Sequence, residues 1–136
     1  MALARAKARL DRLDLYPRPV NLRRVRVLVL PWLFRLPWFR RFDGYAAWPL
    51  ILLRRPLASF ADGEDLLCHE LCHVWQMQHR PLRMPLSYLR AGYAGNPYEA
   101  QARAAVDATR AQRQRTSSAS SAFEKEKPGR TPPSSA

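Results

Sequence analysis

The chain is poor in cysteine, and this limits the class of protein to which it can belong. Only two cysteines occur among 136 residues, Cys68 and Cys72. Small secreted domains are held together by a framework of several disulfides, which one closely spaced pair cannot supply. We therefore expect two free thiols and a cytoplasmic protein.

Long apolar runs are also absent. A transmembrane helix needs about twenty mainly apolar residues, whereas the apolar stretch after Pro31 is interrupted by proline and arginine. The N-terminus lacks the apolar segment of a secretion signal, so neither a membrane span nor a signal peptide is expected. For residues 32–41 we expect a short turn that covers the core and exposes its arginines. Contact with a bilayer interface is the alternative.

Acidic residues are scarce, with 11 against 23 basic residues and a formal net charge of +12. The excess lies in residues 1–60, which contain 13 basic and 3 acidic residues, whereas residues 61–115 contain 7 and 6. The basic N-terminal half makes an anionic membrane surface a candidate partner, with the protein peripheral to the membrane. No nucleic-acid-binding module and no regular basic and aromatic pattern is present, so nucleic acid is not an expected partner.

The apolar content, 47% of the residues, is sufficient for one modest domain. Residues 116–136 are rich in serine, proline, lysine and glutamate and contain a single large apolar residue, Phe123. Such a composition favours disorder. We therefore assign residues 1–115 to one folded domain and residues 116–136 to a disordered tail.

The most informative stretch is residues 62–80, which read DGEDLLCHELCHVWQMQHR. A helix is predicted here because apolar residues recur at helical spacing and no helix breaker occurs before Pro81. Asp62 is suited to the N-cap position. Glu64 and Asp65 favour the positive end of the helix dipole.

Within this helix, His69, Glu70 and His73 form an H-E-x-x-H motif. Residues four apart lie on the same helix face, so both imidazoles can reach one metal ion, for which zinc is the expected choice. Glu70 lies about 100° round the helix and can reach a water molecule at that ion. Cys68 and Cys72 lie on a different stripe and are expected to be buried packing residues.

A catalytic zinc site usually has three protein ligands, and two residues compete for the third place. Glu99 follows Asn96 and Pro97, which start a new helix; its alternatives are a capping-box contact with Asn96 and an ion pair with Arg103. His79 has the spacing of the longer H-E-x-x-H-x-x-G-x-x-H motif, but Gln76 replaces the glycine that would turn the chain back. We favour Glu99.

The remaining elements predict an α+β fold with two or three strands packed on the motif helix and on a second helix that carries the glutamate. A short amphipathic helix is expected within residues 1–15 and a strand at residues 25–30. Asp43 and Gly44 are typical of a turn. Residues 45–53 are expected to form one edge strand that contains Pro49, suited to binding an extended peptide by β-augmentation. Helices are also expected at residues 85–93 and from Pro97 onward.

The segments HELCHVWQ and NPYEAQARA together resemble the minimal gluzincin-type zinc metallopeptidases, small bacterial proteins built on a motif helix and a glutamate helix. The resemblance covers residues 20–110. It implies a small zincin-like domain in which His69, His73 and Glu99 bind zinc and Glu70 is the general base and acid. Many gluzincins have an aspartate four residues after the ligand glutamate, where this chain has Arg103, so the ligand histidines need support from other residues.

These features predict a zinc-dependent metallopeptidase that hydrolyses a peptide or protein substrate with metal-activated water and Glu70 as base. Tyr93 and Tyr98 are candidates to stabilise the oxyanion because they are close in sequence to Glu99, although packing roles are the simpler interpretation. The alternative function is a catalytically inactive zinc-binding domain that binds a partner or a membrane surface.

Overall fold

The computed structural model describes residues 1–125 and has the predicted α+β architecture. Along the chain, one helix precedes the three strands and three helices follow them. In chain order the elements are α1 (Ala2–Leu10), β1 (Arg26–Val29), β2 (Gly44–Ala47), β3 (Leu50–Leu53), α2 (Gly63–His79), α3 (Arg83–Ala91) and α4 (Pro97–Lys125).

The sheet has the order β1-β3-β2, with β1 parallel and β2 antiparallel to β3. The prediction of a single strand over residues 45–53 is wrong, because β2 and β3 form a hairpin with Trp48 and Pro49 at its turn. Proline has no N–H for the ladder, so it occupies the turn rather than an edge strand. The edge strand beside the motif helix is therefore the shorter β2.

The motif helix α2 lies at the centre of the structure and contacts α1, α4 and β2. Its residues Leu67, Leu71 and Trp75 are almost completely buried. The first helix covers α2 with Ala6 and Leu10, which are also fully buried, so packing is the role of α1. Asp62 is the N-cap residue of α2 as predicted, although its side chain makes no capping hydrogen bond.

An ionic cluster centred on the buried Asp65 ties α2 to α1 and α4. Asp65, in the first turn of α2, accepts hydrogen bonds of 2.6 Å from both Arg9 and Arg110. Arg9 also donates to Thr109 of α4 at 2.7 Å. Asp65 thus connects three helices, which is a larger structural role than the interaction with the helix dipole that was predicted from the sequence.

The last helix extends further than expected. Residues 116–125 continue α4, with residues 116–122 exposed, whereas the composition predicts a disordered tail from Thr116. Serine hydroxyls in this part bond to carbonyls one turn earlier, as Ser118 does to Gln114, which is compatible with a helix. The rest of the predicted tail lies outside the described residues. Within residues 1–125 no helix is both long enough and apolar enough to cross a membrane.

Candidate metal centre

Three side chains converge at the face of α2 that meets the start of α4. Nε2 of His69 lies 3.1 Å from Nε2 of His73. The two carboxylate oxygens of Glu99 lie 3.1 Å from His69 Nε2 and 3.1 Å from His73 Nε2, respectively. His73 and Glu99 are buried and His69 is partly exposed. The structure therefore brings together the same three residues that the sequence selected.

Helix geometry accounts for this convergence. His69 and His73 are one turn apart on α2, and Glu99 is in the first turn of α4. Asn96 caps α4 by accepting a hydrogen bond at 2.9 Å from the Tyr98 amide. The Glu99 side chain turns towards the histidines rather than back to the cap. The ion pair with Arg103, given as an alternative role, is also present at 3.4 Å.

The other residues considered as metal ligands lie outside this group. His79 donates from Nδ1 to the carbonyl of Trp75 at 3.0 Å and stacks on Tyr16, so it does not belong to the group of His69, His73 and Glu99. Without a glycine at position 76, α2 continues straight to its end and carries His79 away from the site. Cys68 and Cys72 are free and fully buried, as expected.

The residue that replaces this glycine orients a candidate ligand. Gln76 is fully buried, and its Oε1 accepts a hydrogen bond from Nδ1 of His73 at 2.8 Å. Its amide group donates to the Tyr98 carbonyl at 2.8 Å and to Gln101 at 3.0 Å. Because Nδ1 donates to Gln76, loss of a proton from His73 leaves the lone pair on Nε2, the atom that faces the site. Gln76 thus supplies the histidine support that Arg103 cannot give.

Gly44, the first residue of β2, leaves room for the side chain of Glu70 beside the sheet. A Cβ atom at Gly44 would lie 2.8 Å from Glu70 Oε1 and 2.9 Å from its Cγ, so only glycine leaves room for this carboxylate. Burial raises the pKa of Glu70, while positive charge on His73 and His69 and a hydrogen bond from the Ala46 backbone act in the opposite direction. Gly44 was expected in a turn, but it begins β2 and lies on the site.

Two tyrosine hydroxyls donate to Glu99, Tyr93 at 2.9 Å and Tyr88 at 3.3 Å. Burial, together with the hydrogen bond to Glu99, raises the pKa of Tyr93 to about 12. Burial and the Glu99 charge also raise the pKa of Tyr88. Both are therefore neutral donors near pH 7. Of the two tyrosines named from the sequence, Tyr93 reaches the site, whereas Tyr98 contributes its backbone carbonyl to Gln76.

The electrostatics of the group favour a charged Glu99. Burial by itself raises the pKa of this carboxyl, but the hydrogen bonds from His69 and His73 hold it well below its usual range. Burial lowers the pKa of His73, but its hydrogen bonds to Glu99 and Gln76 and the negative charges of Glu70 and Glu99 together raise the pKa above its ordinary value. The cluster therefore combines the Glu99 carboxylate anion with a His73 that favours its protonated form.

The donor set fits a small divalent cation. The candidate ligand atoms lie within 4.8 Å of one another. Tetrahedral ligands at about 2.0 Å from zinc are separated by about 3.3 Å, close to the 3.1 Å separations observed here. The group of His69, His73 and Glu99 could therefore bind a metal ion.

A cleft of about 650 Å³ opens beside these atoms. The cleft is lined by strand β2, by the motif residues His69, Glu70 and His73, and by residues of α3. Part of the lining is apolar. Met84, Pro85 and Leu89 of α3 and Met77 of α2 supply this part.

No known protein family, curated protein or solved structure matches this chain. The geometry of the site is consequently the basis for assigning a function. Sequence reasoning missed three residues that shape this geometry, namely Gly44, Gln76 and Tyr88. The position of Gln76, three residues after His73 on the same helix face, was the one signal that could have revealed its role.

Proposed function

We propose that the protein is a zinc-dependent metallopeptidase. The observation that carries the proposal is the convergence of His69, His73 and Glu99 on one point, with Glu70 lining the same cleft. Two imidazoles and one carboxylate form the three-ligand set of catalytic zinc sites, which leave a fourth position open.

His69, His73 and Glu99 would hold the zinc ion, which would supply activation of a water molecule and polarisation of the scissile carbonyl. Glu70 accepts a proton from the water and passes it to the leaving amine nitrogen, so that no net proton is lost from the enzyme. The raised pKa of its carboxyl is compatible with both transfers. Tyr93 and Tyr88 hold Glu99 through their hydroxyls. Each hydroxyl has one proton, so a tyrosine that donates to the developing oxyanion must release Glu99, while the other tyrosine continues to hold it.

The cleft supports an extended peptide as substrate. Strand β2 pairs on one side with β3 and is an edge of the three-stranded sheet, and its residues line the cleft. A peptide that adds to this edge by β-augmentation passes the candidate ligand atoms with its side chains alternating between cleft and solvent. The apolar wall of Met77, Met84 and Pro85 favours an apolar side chain next to the cleaved bond.

The test combines metal analysis with hydrolysis of a peptide library read by mass spectrometry. We expect about one zinc per chain, cleavage by the wild type, and loss of cleavage with zinc retained in Glu70→Gln. The matched control is Glu64→Gln, which alters a glutamate of the same helix that contacts Arg5 and Arg9 instead.

The histidines provide the second comparison. His69→Ala is expected to lose zinc, and His79→Ala, on the same helix but outside the group, is expected to retain it. Stoichiometric zinc with no cleavage by the wild type would instead identify a catalytically inactive zinc-binding domain. Zinc retained by His69→Ala would overturn the site itself.

A further inference from the structure

A face next to the cleft combines exposed apolar and basic side chains. Leu82, at the start of α3, is 74% exposed, and Leu86 and Leu89 are 53% and 82% exposed. Their spacing of four and three residues aligns them along one side of the helix. The opposite side is occupied, because Met84 is buried and Tyr88 bonds to Glu99. The helix thus presents an apolar stripe to its surroundings.

Basic residues flank the stripe. Residues 71–98 contain Arg80, Arg83 and Arg90 and no acidic residue, and all three arginines are exposed. An apolar stripe flanked by cations is typical of helices that lie in the interface of an anionic membrane.

Trp48 extends this surface towards the N-terminal half. It is 44% exposed, it lines the cleft together with Leu89, and on its other side it lines a groove of about 560 Å³. That groove contains three arginines and no acidic residue. We call the whole surface the α3 face; it comprises Arg18, Arg23, Arg24, Trp48, Leu82, Arg83, Leu86, Leu89 and Arg90.

We propose that the α3 face binds the surface of an anionic phospholipid bilayer. The leucines enter the boundary between headgroups and acyl chains, the arginines pair with lipid phosphates, and Trp48 occupies the interface, where tryptophan is enriched. This inference goes beyond the proposed peptidase activity and does not depend on it. It would also direct the cleft, which shares Trp48 and Leu89 with the face, towards substrates at the membrane.

Charge complementarity selects a bilayer over a second copy of the chain. Two α3 faces in contact would bring their arginines together in a protein whose net charge is already +12, and like charges repel at an interface. An anionic lipid surface offers both apolar depth for the leucines and negative charge for the arginines.

Co-sedimentation with vesicles tests the proposal. The full chain is expected to bind vesicles of phosphatidylcholine with 30% phosphatidylglycerol at least tenfold more tightly than vesicles of phosphatidylcholine alone. The double variant Leu86→Asp, Leu89→Asp is expected to lose at least tenfold in partitioning. Its matched control, Ala104→Asp with Ala108→Asp, adds the same charge at exposed positions of α4 and should bind nearly as the wild type.

A second pair isolates the arginines. Arg83→Gln with Arg90→Gln should weaken binding on the order of tenfold, more than Arg12→Gln with Arg115→Gln, which removes the same charge from exposed positions elsewhere. Circular dichroism verifies that each variant is folded.

Two results would overturn the proposal. One is equal binding of the leucine variant and its control, which would indicate attraction by net charge alone. The other is no binding of the wild type to the anionic vesicles at low salt. If sedimentation then gave a dimer that the leucine variant abolishes, the α3 face would be a contact between copies of the chain.

Discussion

Oε1 of Gln76 accepts a hydrogen bond of 2.8 Å from Nδ1 of His73. This contact fixes both the tautomer and the ring orientation of the histidine, because the amide of Gln76 is itself held by the Tyr98 carbonyl and Gln101. In metal sites such partners orient the ligand histidines and raise their basicity.

Replacing Gln76 by methionine, which has similar length and no hydrogen-bonding amide, should therefore weaken zinc binding by about 10–100-fold. Competition with a chromophoric chelator measures the dissociation constant. The control is Gln78→Met, a substitution on the same helix at a residue that bonds to Asn21 instead. Equal affinities in the two variants would show that Gln76 supports the packing of α4 rather than the ligand.

A second prediction concerns Gly44. In Gly44→Ala the new Cβ atom would approach Glu70 Oε1 to 2.8 Å, so the carboxylate must move while the ligand atoms on α2 and α4 stay in place. We expect at least a tenfold loss of kcat with zinc content unchanged, because small displacements of a catalytic group have large kinetic effects. Gly95→Ala, where the nearest atom is 3.4 Å away, should retain activity. Full activity of Gly44→Ala would mean that Glu70 needs no such support.

The sequence was sufficient for the motif helix and for the group of His69, His73 and Glu99. Both could be predicted because each depends on neighbouring residues in the sequence. The two histidines lie one turn apart on one helix, and the glutamate closely follows the N-cap residue of another. The helix was predicted over residues 62–80 and spans Gly63–His79. Burial of Cys68 and Cys72 followed in the same way from their place on an apolar side of that helix.

Contacts between distant segments could not be derived in this way. Gly44 lies next to Glu70, which comes 26 positions later in the chain. Nothing in the local sequence distinguishes Gly44 from a glycine in a turn. The hairpin at Pro49 was missed because its two strands form one continuous apolar run, in which only the missing N–H of proline marks the turn. The role of Asp65 depends on Arg9 and Arg110, which belong to α1 and α4 and are far apart in the sequence.

The Asp65 cluster predicts a pH dependence of stability. Burial raises the pKa of this carboxyl, but hydrogen bonds from Arg110 and Arg9 more than compensate and lower it below its ordinary value. A lowered pKa means that the unfolded chain binds the proton more readily. The contribution of Asp65 is therefore present above about pH 4 and is lost as the pH falls through the folded-state value.

In Asp65→Asn we expect the free energy of unfolding at pH 7 to fall by about 2 kcal/mol, because two charge-assisted hydrogen bonds lose the carboxylate. We also expect a shallower decline of stability below about pH 4 than in the wild type. Urea denaturation at several pH values measures both, with Asp107→Asn at an exposed position of α4 as the control. An Asn variant with the same acid slope as the wild type would contradict the assignment.

Metal binding should also be visible as thermal stabilisation. An ion that binds the folded chain but not the unfolded one stabilises by about 2.7 kcal/mol at one hundred times its dissociation constant, which for a domain of this size raises Tm by several degrees. Removing zinc with a chelator should reverse the shift. His69→Ala and Glu99→Gln should show little shift, because each lacks one of the three converging groups, whereas His79→Ala should respond as the wild type. A zinc-dependent shift that persists in Glu99→Gln but disappears in His79→Ala would transfer the third ligand position to His79, against the geometry in which His79 is bonded to the Trp75 carbonyl and stacked on Tyr16.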